Sequence, residues 1–373
     1  MFSIKNWEDI LNSASTLITN LYLSVTDGGK AKFPKYAYAN DGWWPMTVNG
    51  IDIHKACGGA SDYYFLAHSN GKIAPPMPNP LPTFSDSMKI DLMNKYAPYV
   101  YMDENERFYP STVEFTFPFL TRYKNEDGNY WVKTIEPLSS PSAVLDYFKG
   151  DIDNAKVYAF WVEKDYGIAE ITYFFYYPYN RGKQIDIIDT VVGNHVGDWE
   201  HATVRLGWDY LDGSWNMFPI ELYLSAHSGG NTETWDELNF KQDSFSPIIY
   251  SAQGSHAMYF AAGEYTYKKT PLFSLTDICS QGEVLDCSIG DRIVPLDYAT
   301  KTNLGTGAKW PLWMNDNFTV AGNEPSSDPA NGAIYRWGNV HEGNIPLSDQ
   351  YRLENGPTGP ISKSDVWNPN VFE

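Results

Sequence analysis

The segment Asn194-His195-Val196-Gly197-Asp198-Trp199-Glu200-His201 gathers two carboxylates, two imidazoles and an indole in a chain with only seven histidines. Carboxylates two residues apart share a face of an extended strand, so Asp198 and Glu200 should project together, with Trp199 and His201 opposite. From Ala202 onward, Thr203, Val204, Arg205 and Leu206 alternate as a half-buried strand does. His195 would point away from Asp198 in a straight strand, and Val196-Gly197 offers a bend that returns it. An imidazole converging with two carboxylates can hold a hard or borderline cation, or can act as a general acid–base pair. A surface strand carrying solvated charges is the plain alternative.

Three more stretches end a strand-like run in a polar residue. Tyr173 to Asn180 closes an aromatic run on an amide. Leu222 to Gly230 delivers His227 into a glycine-rich turn, and Ile248 to Phe260 delivers His256 beside Gly254. Glycines beside a histidine permit close approach of backbone or ligand. Strands ending at one edge could gather Asn180, His195, Asp198, Glu200, His227 and His256. Two carboxylates, an amide oxygen and one or two imidazoles suit Ca²⁺ or Mg²⁺ first, with Mn²⁺ or Zn²⁺ as further choices. His201 and Trp199 fall on the core side. Asp103, Glu104 and Glu106 form either a turn or a further cation contact.

The elements that must position these residues are mostly strands. Short runs such as Tyr130–Ile135, Lys156–Val162, Ala169–Tyr177, Ala202–Leu206, Ile220–Ser225 and Pro247–Ser251 lie between Gly, Pro, Asn and Asp turns. Many strands without long intervening helices predict a mainly β fold, an antiparallel β-sandwich. Ile4, Trp7, Ile10, Leu11, Ala14, Leu17, Ile18 and Leu21 predict an N-terminal helix packed on its own domain, stopped at Asp27-Gly28-Gly29. Pro75, Pro76, Pro78, Pro80 and Pro82 make an extended connector. It separates an N-terminal helical and aromatic module (1–74), across a linker (75–84), from a β-sandwich domain (85–373). A short helix is expected from Ser85 to about Lys95, and residues 300–373, with Trp310, Trp313, Trp337 and Trp367, form a loop-rich wrap.

Composition narrows the function classes. Of 373 residues 43% are hydrophobic and 16% aromatic, which is globular rather than disordered. A formal charge of −19 excludes nucleic acid as a general partner and opposes whole-molecule docking on anionic lipid. It is compatible with cation collection. No run of apolar residues is long enough for a membrane span. Glu8 and Asp9 stand where a signal peptide needs its apolar region, so a soluble chain without that export route is expected. Cys279 and Cys287 could close a hairpin disulfide, leaving Cys57 free, or all three could be reduced.

Several motifs carry a resemblance. Asn194 to His201, Ser225-Ala-His227-Ser-Gly-Gly230, Gly254-Ser-His-Ala-Met-Tyr259, Gly356-Pro-Thr-Gly-Pro360 and Tyr96-Ala-Pro98 with its acidic sequel resemble the vacuolar protein sorting-associated protein 62 (Vps62-like) family of plants and fungi. The resemblance spans about residues 85–360 and implies a fold and a site more than an activity. The central octapeptide is also similar to the Gly-His-Arg-His-Asp-Trp-Glu heptapeptide of the necrosis- and ethylene-inducing-like cytolysins. That likeness implies a metal at a sandwich edge, held here by His195, Asp198, Glu200, His227 and Asn180. Two positions depart: the motif's second histidine is Gly197 here, and its upstream acid is the amide Asn180.

Three readings follow from these residues. The first is a divalent-cation-dependent recognition protein for a glycan or glycolipid headgroup, cytolysin-like, with exposed Tyr or Trp beside the site. The second is a metal-dependent hydrolase or lyase on polysaccharide or phosphoester, with Glu200 or His256 as the catalytic base. The third is a structural or storage protein in which the cluster staples the sandwich.

Overall fold

The protein is described from a computed structural model that covers residues 83–126, 128–138, 145–164, 168–185, 190–211, 214–315, 327–340 and 354–368. Between Tyr36 and Leu66 it describes only the backbone of two-residue strands. The N-terminal helix expected over residues 4–21, Cys57 and the proline connector lie outside the described residues. The fold is mainly β. Two compact units divide it: Ser85–Val162, Glu170–Val204 and Leu222–Glu373 form one, and Met1–Phe84, Glu163–Ala169 and Arg205–Glu221 form the other. In the second of these, Arg205 pairs with Glu221 at 2.6 Å.

A seven-stranded sheet is the frame. Its order is Gly229–Thr234, Ser214–Ala226, His195–Leu211, Ala169–Asn180, Val157–Glu163, Ile293–Asp297 and Thr302–Asn303. Ala169–Asn180 is buried along its whole length, as a strand covered on both faces must be. One face carries Phe174 and Tyr176, which join Tyr158, Phe160 and Trp199 in the main core. The C-terminal wrap supplies the cover: Trp310, Trp313, Trp337 and Trp367 are all buried members of this core. Trp199 meets Trp337 at 5.5 Å and Tyr176 at 4.9 Å, so it is a core residue, as its place on the strand predicts.

The other face is covered by a second sheet and a helix. The four-stranded sheet runs Met258–Tyr259, Ile248–Ser251, Tyr99–Met102, Val284–Asp286. Tyr177 crosses to it, its hydroxyl 3.1 Å from Ser251 Oγ, and Tyr173 donates to the Met93 carbonyl at 2.7 Å. Met93 belongs to the helix Asp86–Lys95, whose Ser85 N-cap accepts from Met88 N. That helix is tied to the frame by Lys89 Nζ on Asp297 Oδ2 at 2.7 Å, a pair shielded from solvent.

The sheets are mixed where the sequence predicts an antiparallel sandwich. Val157–Glu163 pairs parallel with Ile293–Asp297, and Ile248–Ser251 pairs parallel with Tyr99–Met102. In both cases the partners are far apart in sequence, so a long connection frees the second strand to run either way. The strands are also longer than their alternating cores. His195–Leu211 begins at the histidine rather than near Asp198, and Ala169–Asn180 reaches the amide. A separate hairpin pairs Gly263–Lys269 with Ser274–Cys279. Cys279 and Cys287 are both buried and free, so the hairpin disulfide that their spacing allowed is not formed.

Candidate functional site at the Asp198 and Asp277 networks

The strand His195–Leu211 presents Asp198 toward the face that Tyr177 occupies. Asp198 Oδ2 accepts from His256 Nδ1 at 3.0 Å, and its Oδ1 accepts from Trp199 N at 2.9 Å. His256 is fully buried and stacks flat on Tyr177, with ring centroids 3.8 Å apart. It arrives there from a tight turn in which its own φ is 58° and Gly254 has φ 73°. A left-handed histidine costs on the order of 1 kcal/mol and persists only where neighbours fix it. Glu106 is the fixing group: Oε2 accepts from Gly254 N at 2.6 Å, and Oε1 accepts from Arg107 N at 2.7 Å and Phe108 N at 2.9 Å. The Nε2 of His256 has no hydrogen-bond partner and lies 4.0 Å from Glu106 Oε2.

The two carboxylates of the D-x-E pair are driven apart. Burial works to raise Asp198, but the hydrogen bond from His256 and the fields of His195, His256 and Lys363 prevail, so its pKa falls below the usual value. Glu200 is pushed well above the usual range, by burial first and then by the charge of Asp198. Its carboxyl is met by Ser225 Oγ, which also accepts from His201 N at 2.8 Å. On the opposite side of the strand, burial and the field of Lys363 drop His201 to about 3, so that its ring is neutral.

A second network lies at the hairpin. Asp277 is fully buried and receives four donors: His227 Nε2 at 2.6 Å, Ser255 Oγ at 2.6 Å, Tyr259 OH at 2.8 Å and Lys183 Nζ at 3.1 Å. Burial opposes ionisation there, yet the bonds from His227 and Ser255 and the charge of Lys183 bring its pKa down to about 2. His227 has φ 55° and stacks on Tyr267 at 3.6 Å. Tyr267 is 38% exposed. It is the extra residue of a bulge between Thr266↔Thr276 and Lys268↔Leu275, and a bulge re-aims the side chain it carries. The charge of Asp277 also contributes to lifting Glu200, so the two networks lie within each other's field.

The expected metal ligands do not converge as a set. Asn180 Nδ2 donates to the Gly193 carbonyl at 2.7 Å, and His195 Nδ1 turns onto the Gly197 carbonyl at 2.7 Å. Asp198 is taken by His256, Glu200 by Ser225 and His227 by Asp277. Among the described residues no three His, Cys, Asp or Glu side chains are grouped to hold a cation. The set Asn180, His195, Asp198, Glu200 and His227 is therefore not drawn into one cluster in this structure, where Asp198, Glu200 and His227 each have a side-chain partner of their own. Gly197 explains one departure from the cytolysin motif. With φ 70°, a Cβ there would stand 2.4 Å from the Trp337 carbonyl oxygen, so no imidazole can occupy the position. Asp103 serves its turn, accepting from Ser280 Oγ at 2.7 Å and from Asn105 N at 2.9 Å.

Asp198 and His256 are the sequence-predicted site residues that the fold joins directly. Asp277, Tyr267, Lys183 and Ser225 were not singled out from the sequence. Asp277 was legible in principle: Leu275, Asp277 and Cys279 alternate on one buried face of their strand, and a carboxylate between two apolar residues on such a face needs partners.

Comparison with known proteins gives the chain its relatives. The family model described as "Vacuolar protein sorting-associated protein 62" matches residues 118–317. A Saccharomyces cerevisiae protein named "Vacuolar protein sorting-associated protein 62" is 30% identical over 267 residues, covering 64% of this chain and 51% of its own. A second yeast protein, named "Putative vacuolar protein sorting-associated protein TDA6", is 27% identical over 285 residues, covering 72% of this chain and 53% of its own. The chain thus spans about half the length of these relatives. No solved structure matches. The match covers more than half of the chain and includes the central octapeptide, the His227 and His256 turns and the hairpin: the chain belongs to the vacuolar protein sorting-associated protein 62 family.

Proposed function

We propose that the chain is a recognition protein for a hydroxyl-rich headgroup, a glycan or glycolipid, bound where Tyr267, His227 and Asp277 meet. The stacking of half-exposed Tyr267 on His227, whose Nε2 is held by the buried Asp277, carries this reading. A sugar offers an apolar face and a rim of hydroxyls. A flat aromatic ring beside fixed polar groups answers both, and the pre-ordered network spares the entropy of fixing them on binding. The relatives' names speak of vacuolar protein sorting, and reading a headgroup is one chemistry by which membranes or cargo can be told apart. The divalent cation expected from the cytolysin likeness is not needed by this site, so chelation becomes an arm of the test. A glycan and glycolipid array, run with and without EDTA, should show binding that survives chelation and falls at least tenfold in Tyr267→Ala and His227→Ala. A silent array, or a Tyr267→Ala variant that binds as the native chain does, would end this reading.

The opposed shifts of Asp198 and Glu200 favour a second reading. A carboxylate whose pKa is lowered beside one whose pKa is raised is how acid–base pairs are assigned, and it suits hydrolysis of polysaccharide or phosphoester with Glu200 as acid. His256, proposed as base, is fully enclosed between Tyr177, Asp198 and Glu106 and would need the Ala252–Ala257 turn to open. Turnover of any such substrate should fall by about a hundredfold or more in Glu200→Gln. Absence of turnover by the native chain on a broad panel counts against it.

A further inference from the structure

The hairpin Gly263–Lys269 and Ser274–Cys279 is a two-stranded sheet with a free end. Its base is anchored by the Tyr259–Tyr265 stack at 3.8 Å and by the Asp277 network, and Leu275 and Cys279 face inward. Its tip is Thr270-Pro271-Leu272-Phe273. Thr270 holds that turn: its hydroxyl donates to the Phe273 carbonyl at 2.9 Å and accepts from Phe273 N at 3.0 Å and Leu272 N at 3.3 Å. The turn displays Leu272 at 73% exposure, beside exposed Pro271, Lys268 and Lys269. From Tyr265 to Thr276 there are two lysines and no acid, in a chain whose formal charge is −19.

We propose that this tip docks the protein on an anionic bilayer surface, with Leu272 entering the headgroup–acyl boundary. Lysines at such a boundary keep their charge at the phosphates while their stems lie along apolar surface, and tyrosines sit at headgroup depth. Lys268 and Lys269 end the strand that leads into the leucine, and Tyr265 and Tyr267 lie further back along the same strand. The nearest acid on that strand, Glu264, is five residues from Lys269, about 16 Å away along an extended chain. The body's negative charge is repelled by an anionic surface, so approach is favoured only hairpin first. A protein groove is the other conceivable occupant, but one leucine following two lysines is a small apolar anchor and a large electrostatic one. The inference stands apart from headgroup recognition at His227, since it needs lipid charge and not a sugar.

The test uses the full chain with vesicles of phosphatidylcholine alone and of phosphatidylcholine with phosphatidylserine, free of glycolipid. Sedimentation should show binding to the anionic vesicles that weakens as salt is raised. Leu272→Asp and the double variant K268A/K269A should each lose about tenfold or more of it. Both should melt as the native chain does, because the three side chains are exposed. These vesicles carry no sugar, so binding to them separates this proposal from the glycan reading. Native protein that binds anionic vesicles no better than neutral ones overturns it. Full retention by Leu272→Asp, which would leave the tip to a protein partner, overturns it as well.

Discussion

Glu200 and Asp277 are both buried carboxylates, yet they act on stability with opposite sign. The folded state raises the pKa of Glu200, so it holds the proton more readily than the unfolded chain does. Its contribution is favourable below the ordinary value near 4.5 and is lost as pH rises through the folded value. Glu200→Gln, which mimics the protonated group, should therefore melt at or above the native temperature at pH 7 to 8 and lose that advantage near pH 4, as read by calorimetry across pH. Asp277 is the reverse. With a folded pKa of about 2, against an ordinary value of 3.8, it contributes on the order of 2 kcal/mol above pH 4, lost as pH falls from about 4 to 2. Asp277→Asn should flatten the acid limb in that window and lower the melting temperature at neutral pH. His201 adds acid sensitivity of the same sign at higher pH, between about 6.5 and 3. At this scale the sequence shows which residues are chemical but not whom they pair with: the D-x-E spacing reveals the shared face of Asp198 and Glu200, whereas His256 reaches Asp198 only through a left-handed turn fixed by Glu106.

Reading short runs between turn residues located Tyr130–Thr134, Val157–Glu163, Ala169–Asn180 and Ile248–Ser251 to within a few residues. It underestimated His195–Leu211, because His195 and Gly197 look like a turn. Gly197 does bend the backbone, at φ 70°, without ending the strand. It also lies under the Trp337 carbonyl, where the C-terminal cover meets the frame. Gly197→Ala adds a left-handed penalty to a close contact with backbone and should cost about 2–4 kcal/mol, seen as a melting temperature lower by several degrees. The direction of strand pairing was not legible, since the parallel partners Val157–Glu163 and Ile293–Asp297 are brought together only by the tertiary fold. The bulge at Tyr267 was equally hidden, because a register shift belongs to two strands at once.

Across the molecule, the frame is a sheet closed on one side by the C-terminal tryptophans and on the other by a second sheet and a helix. Tryptophans in a loop-rich tail were visible in the sequence, but their role as a plug over Trp199 was not, since no periodicity marks it. Burial also pushes the Cys279 and Cys287 thiols up, so both are inert while the chain is folded. Ellman's reagent should reach these two only after denaturant is added, and reductant should leave the melting curve in place. Chain length meets its own constraint at the hairpin. One unmatched residue at position 267 sends that ring toward His227 and sets which way the lysines beyond it point. Deleting a single residue there would turn the pleat over and exchange the two roles, whereas adding or removing two residues in each strand would preserve them. Related chains that keep both the ring and the cationic tip should thus differ by an even number of residues in each strand of the hairpin, a rule of parity that any alignment through this segment can check.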